Sequence, residues 1–123
     1  MNQRPKILIV DDEPNIVVPL QFLMEQNGYD VKIAETGEAA IDLMARFRPD
    51  LVLLDIMLPG VNGLEVCQML REDPGLKHTK IILVSALGRD VDIAKGIAMG
   101  ADAYITKPFS NREIVSRVDE LLK

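Results

Sequence analysis

Five side chains able to carry charge or proton chemistry stand just past four short apolar runs. Asp11 and Asp12 follow residues 7–10, Asp55 follows 51–54, Ser85 follows 81–84 and Lys107 follows 103–106. If these ends converge, the three carboxylates repel one another by about 4 kcal/mol per pair at roughly 4 Å and an effective dielectric near 20, so a cation must compensate. Lys107 supplies one positive charge, which leaves two negative charges. An all-oxygen set with few dedicated ligands suits Mg²⁺ (or Mn²⁺) better than zinc or copper. Mg²⁺ keeps waters and favours one or two carboxylates plus a phosphate, so the expected ligand is a phosphoryl group.

An aspartate carboxylate can attack phosphorus and form an aspartyl phosphate. Transfer then depends on alignment and charge neutralisation, with the Lys107 ammonium and the Ser85 hydroxyl donating to phosphoryl oxygens. Spacing alone does not separate the three acids. Asp55 stands alone after the most apolar run, whereas Asp11 and Asp12 form a natural metal-holding pair, so Asp55 is the expected nucleophile.

The positioning elements are legible in the hydropathy pattern. Residues 7–10, 31–34, 51–54, 81–84 and 103–106 are continuous, β-branched apolar runs of the kind buried on both faces of a parallel sheet. Between them, and after the last, apolar residues recur at helical spacing: Ile16, Leu20, Leu23 and Met24; Ala40, Ile41, Met44 and Phe47; Leu64, Cys67 and Leu70; Ala94, Ile97 and Ala98; Ile114, Val118 and Leu121. Pro14 suits a first helical turn, Asn62 with Glu65 and Ser110 with Glu113 are spaced as capping boxes, and Gly28 and Gly100 sit where helices would stop. Pro19 breaks the pattern and predicts a kink or a late helix start. Alternation of strand and helix predicts an α/β fold, a doubly wound (βα)5 domain with helices on both faces. In such sheets ligands bind beyond the carboxyl ends of the strands, where the winding reverses. Glu35, after the second run, is expected away from that crevice.

Composition narrows the function classes. The 123 residues are 48% hydrophobic and 27% charged, as in one globular domain, and only 4% are aromatic, too few for a single-strand stacking platform. Fourteen basic against 19 acidic residues give a net charge of −5, which disfavours direct nucleic-acid or membrane binding. The single cysteine, Cys67, allows neither an internal disulfide nor a zinc framework, and no run approaches the roughly 18 apolar residues that span a bilayer. A cytoplasmic location is the expectation. His78 is expected in a solvated loop, Cys67 as a packed thiol, and the methionines as core filler.

The set Asp11-Asp12-Glu13-Pro14, Asp55-Ile56-Met57-Leu58-Pro59-Gly60, Ser85-Ala86 and Lys107-Pro108-Phe109 resembles the receiver domain of two-component response regulators over residues 6–122, nearly the entire chain. The resemblance implies a flavodoxin-like strand order 2-1-3-4-5 and a signalling switch rather than an enzyme, with no output domain in residues 1–123. It implies that Asp55 accepts a phosphoryl group from a sensor histidine kinase or phosphotransfer protein. Asp12, Asp55 and the Met57 backbone carbonyl would ligate Mg²⁺, with Asp11 acting largely through water. Ser85 and Tyr104 would move on phosphorylation and remodel the face of helix 4, strand 5 and helix 5 for a downstream protein, a missing output domain or a second copy. It also implies a cis Lys107-Pro108 bond. Departures are Val61 and Asn62 where the family often has Met and Asp, Ser85 for the commoner Thr, and Pro19 on the helix presented to the kinase.

Three competitors are weaker. An aspartate-nucleophile phosphatase of the haloacid dehalogenase type places its nucleophile in an Asp-x-Asp motif after the first strand and usually carries a cap insertion; here Asp11 and Asp12 are adjacent and no length remains for a cap. A flavodoxin-like or nucleotide-binding protein wants a glycine- or hydroxyl-rich phosphate loop where Asp11-Asp12-Glu13 would repel the ligand. A degenerate receiver would lack one of the chemical residues, all of which are present.

Overall fold

The computed structural model describes residues 4–123; residues 1–3, counted with the domain in the sequence reading, lie outside the described residues. Among the described residues ten elements alternate: β1 (Lys6–Val10), α1 (Pro14–Gln26), β2 (Asp30–Ala34), α2 (Gly37–Phe47), β3 (Leu51–Leu54), α3 (Gly63–Glu72), β4 (Lys80–Ser85), α4 (Asp90–Ala98), β5 (Ala103–Thr106) and α5 (Asn111–Leu122). The strands form one sheet of order β2-β1-β3-β4-β5, with every pair parallel. This is the order the resemblance implies, and the winding reverses where β1 lies between β2 and β3.

Strand residues alternate between two apolar cores. Ile7, Ile9, Leu51, Leu53, Ile82, Val84 and Ile105 face the layer of α1 and α5. Leu8, Val10, Val52, Leu54, Ile81 and Leu83 face the opposite layer, with Met44 of α2 and Val66, Cys67 and Leu70 of α3. Burial on both faces explains why the central strands read as unbroken apolar runs. The Arg71 guanidinium ties α3 to the entrances of β4 and β5 by donating to the carbonyls of Gly100 (2.8 Å) and Thr79 (2.6 Å) and to the Asp102 carboxylate (2.7 Å).

Helix ends follow the expected punctuation. Asn62 Oδ1 and Ser110 Oγ accept from the backbone N–H groups of Glu65 (3.1 Å) and Glu113 (3.0 Å). Gly28 (φ 91°) and Gly100 (φ 111°) take up the left-handed backbone just past α1 and α4. Two expectations need correction. First, of the kink or late start expected from Pro19 the late start is absent, since α1 begins at Pro14 and stays helical through Pro19 to Gln26. Pro19 and Asn15 are both exposed, so the Asn15 carbonyl that loses its helical donor is open to water. Second, the methionines are not uniformly core: Met24 and Met44 are buried, whereas Met57 and Met69 are exposed. Cys67 is buried, its thiol donating to the Met99 carbonyl, and His78 is exposed, both as expected.

Behind the sheet, the buried Tyr29 hydroxyl donates to Asp119 on α5. Burial, the hydrogen bond and the Asp119 charge push its pKa from 10.0 up to about 12. Because the folded-state value is raised, this contact stabilises the fold fully below pH 10 and is lost as pH rises through about 12. Wild type is therefore expected to exceed Tyr29→Phe by about 1–2 kcal/mol at neutral pH. The gap between their urea midpoints should close between pH 10 and 12.

Candidate functional site

Four strand ends supply the site, and short backbone bonds hold each in register. The Asp11 N–H donates to the Ala34 carbonyl (3.1 Å), the Asp55 N–H to the Val10 carbonyl (2.9 Å) and the Lys107 N–H to the Ser85 carbonyl (2.8 Å). Asp11, Asp55 and Ser85 are buried, Asp12 is exposed, and Lys107 is partly buried. Oxygens of Asp11, Asp12 and Asp55 lie within 4.8 Å of one another.

The Lys107 ammonium bridges this cluster. It donates to Asp11 Oδ2 (2.9 Å), Asp55 Oδ2 (3.2 Å) and Glu13 Oε1 (3.3 Å). Each buried carboxylate has a second donor: the Glu13 N–H to Asp11 Oδ1 (2.9 Å) and the Met57 N–H to Asp55 Oδ1 (3.1 Å). Burial raises the Asp55 pKa, opposed by the Lys107 charge and the Met57 bond and reinforced by the Asp11 charge. Burial works against the Lys107 ammonium, but the hydrogen bond to Asp11 and the charges of Asp55 and Asp11 outweigh it and raise its pKa. Three carboxylates with one ammonium leave excess negative charge in a hard-oxygen donor set, which fits a divalent cation such as Mg²⁺ or Mn²⁺.

Ser85 Oγ accepts from the Leu87 N–H (3.1 Å), and the Tyr104 hydroxyl donates to the Leu87 carbonyl. The two backbone polar groups of Leu87, its N–H and its C=O, are thus held by the two residues expected to move together. The Lys107-Pro108 bond is cis. Glu35 is exposed just past edge strand β2 and is not one of the three clustered carboxylates.

Sequence reasoning missed the Glu13 carboxylate as a partner of Lys107, although its place beside Asp11-Asp12 was a usable signal. It also missed Gly63, whose N–H donates to the Ile56 carbonyl (2.9 Å). A Cβ at Gly63 would collide with the Asp55 carbonyl and stand 2.8 Å from the Ile56 Cα. Both obstacles are backbone, so Gly63→Ala must move the loop that carries Asp55. It is expected to cost about 1–3 kcal/mol, seen as a lower urea midpoint.

The chain matches the family model described as "Response regulator receiver domain" over residues 7–119. It is 41% identical over 98% of its length to the DNA-binding response regulator MtrA of Mycolicibacterium smegmatis. Over 96% it is 44% identical to the alkaline phosphatase synthesis transcriptional regulatory protein PhoP of Bacillus subtilis. It spans about half the length of these relatives, 51% and 48%. Among solved structures, the BeF3-activated receiver domain of DrrB from Thermotoga maritima superposes with a TM-score of 0.89 at 36% identity, covering 98% of both chains. The BeF3-activated N-terminal receiver domain of Klebsiella pneumoniae RstA superposes with a TM-score of 0.87 at 34% identity, covering 96% of this chain and 98% of that one. Sequence, strand order and the converged acidic edge agree: this chain belongs to the response regulator receiver domains, the signalling domains of two-component systems.

Proposed function

We propose that Asp55 is the phosphoryl acceptor of a Mg²⁺-dependent switch. The observation that carries this reading is the bridge of Lys107 between Asp11 and Asp55, with Asp12 alongside and Ser85 on the adjoining strand end. A carboxylate oxygen of Asp55 attacks phosphorus, and the bond from phosphorus to the donor's histidine nitrogen breaks. Asp11, Asp12 and Asp55, with the Met57 carbonyl, would hold Mg²⁺ (or Mn²⁺). When bound, the ion supplies charge neutralisation for the transferring group.

The other roles fall to the chain's own groups. Lys107, released from part of its carboxylate pairing, donates to a phosphoryl oxygen. Ser85 Oγ accepts one bond from Leu87 and retains its own proton to donate to a second oxygen. Turning that hydroxyl toward phosphorus withdraws it from the Leu87 N–H and loosens the residue whose carbonyl Tyr104 holds. The α4–β5–α5 face then rearranges for a partner, and phosphorylation shifts the balance between two forms of it. The phosphoryl donor is a histidine kinase or phosphotransfer protein. The reader of the face is a downstream protein, an output domain or a second copy. Two structural neighbours are described as BeF3-activated, and trifluoroberyllate on a carboxylate mimics a phosphoryl group, in keeping with this reading.

The test is incubation with acetyl phosphate. Intact mass should show one phosphoryl group per chain with Mg²⁺ and none with EDTA. Sustained turnover of p-nitrophenyl phosphate would instead support the phosphatase reading.

A further inference from the structure

Gly96 is the one fully buried residue of helix α4, with Asp92 and Ile93 partly buried, while Val91 and Ile97 on the same helix are exposed. A glycine in the middle of a helix is unfavourable by itself, since alanine there is the better helix former. The surroundings supply the reason. A Cβ at Gly96 would stand 2.7 Å from Leu83 Cδ1, 3.0 Å from Tyr104 Cδ2 and 3.2 Å from Tyr104 Cε2. Leu83 is fully buried and has little room to yield. The Tyr104 ring therefore lies against bare helix backbone, and from that seat its hydroxyl reaches the Leu87 carbonyl. Leu87 is in turn bonded to Ser85.

We propose that Gly96 is a positioning residue for the switch: its missing side chain is the seat that holds the Tyr104 ring inward, so that the ring sets both α4 and the Ser85–Leu87 loop. The proposal deepens the phosphoryl-switch reading and rests on it for its consequence, but the seat itself exists before any phosphorylation. Adding one methyl group at Gly96 closes the seat and expels the ring to solvent. Asp55 and its ammonium partner lie outside this contact, so phosphoryl uptake survives while its transmission to α4 does not.

The experiment uses Tyr29→Phe as background, leaving Tyr104 as the single tyrosine of a chain without tryptophan. In the unphosphorylated protein, acrylamide quenching of Tyr104 fluorescence should rise about twofold when Gly96→Ala is added, as a half-buried ring becomes exposed. With Mg²⁺ and acetyl phosphate the variant should still gain one phosphoryl group, but the phosphorylation-induced shifts of its α4 amide resonances should be lost. Unchanged quenching, or unchanged α4 shifts on phosphorylation, overturns the proposal. A background protein that takes up no phosphoryl group overturns the switch reading instead and leaves the quenching comparison standing. Should Gly96→Ala not fold, the pair Tyr104→Ala and Gly96→Ala/Tyr104→Ala decides. With the ring gone the added methyl meets only Leu83, so the double variant should fold and take up a phosphoryl group, and a double variant that also fails to fold overturns the proposal by placing the clash on Leu83.

Discussion

Asp55→Asn is expected to take up no phosphoryl group from acetyl phosphate under conditions that load the wild type fully. The amide oxygen is a poor nucleophile, and replacing a catalytic nucleophile typically costs about 10⁴-fold or more in rate. The fold should survive the change. Burial already penalises the Asp55 charge, which is also repelled by Asp11, so a neutral isostere relieves that strain while giving up one ion pair with Lys107. The stability should stay within about 1 kcal/mol of wild type, since the Lys107 ammonium keeps its pairs with Asp11 and Glu13 and is not left uncompensated. Intact mass before and after treatment gives the answer. A phosphoryl group retained in this variant would assign acceptance to Asp11 or Asp12.

Lys107→Ala should be the most destabilising single change at the site. Its side chain is 12% exposed and those of Asp11 and Asp55 are 5% exposed, so the substitution strands two buried carboxylates without their shared ammonium. Breaking such a pair costs about 3–5 kcal/mol. The pH dependence has a definite sign. Asp55 is raised even in the wild type, and Lys107 is the leading influence that lowers it, so the variant's Asp55 rises further. A raised folded-state pKa contributes stability below the ordinary value that is lost as pH rises through the raised one, so the variant's deficit should shrink on mild acidification. Added Mg²⁺ should narrow the gap as well, because the variant's acidic cluster has lost the competing ammonium and binds the ion more tightly, each tenfold gain in affinity adding about 1.4 kcal/mol at saturating Mg²⁺. Urea midpoints with and without Mg²⁺ at neutral and mildly acidic pH measure all three effects. Equal stability of variant and wild type in EDTA would contradict the account of the site's electrostatics.

β1, β3 and β4 were legible because each is short, apolar and buried on both faces. The edge strands β2 and β5, expected to be buried likewise, expose Lys32 and Thr106 because each has a neighbour on one side only. Each apolar run breaks at or next to the end of its strand. Boundaries fell within about two residues. That same break put Asp11, Asp55, Ser85 and Lys107 on one edge before any distance was known. Local readings failed where the environment overrode them. Pro19 promised a kink or a delayed helix, and the delay is absent because its exposed position lets water take the freed carbonyl. Met57 and Met69 were assigned to the core by composition, yet both face solvent.

By itself, the sequence determined the alternation of elements, the chemical identity of the acidic edge and the family. These follow from local periodicity, from residue type at the end of each run and from the spacing of the motifs. The tertiary structure alone decided which carboxylates share the Lys107 ammonium, that Glu13 joins them, that Ser85 and Tyr104 grip the N–H and the C=O of Leu87, and why α4 tolerates Gly96. Those facts depend on contacts between residues far apart in the chain, with 96 positions separating Lys107 from Asp11 and 17 separating Tyr104 from Leu87. No local pattern encodes them, because such distances exist only once the parallel sheet has closed and both of its faces have been packed.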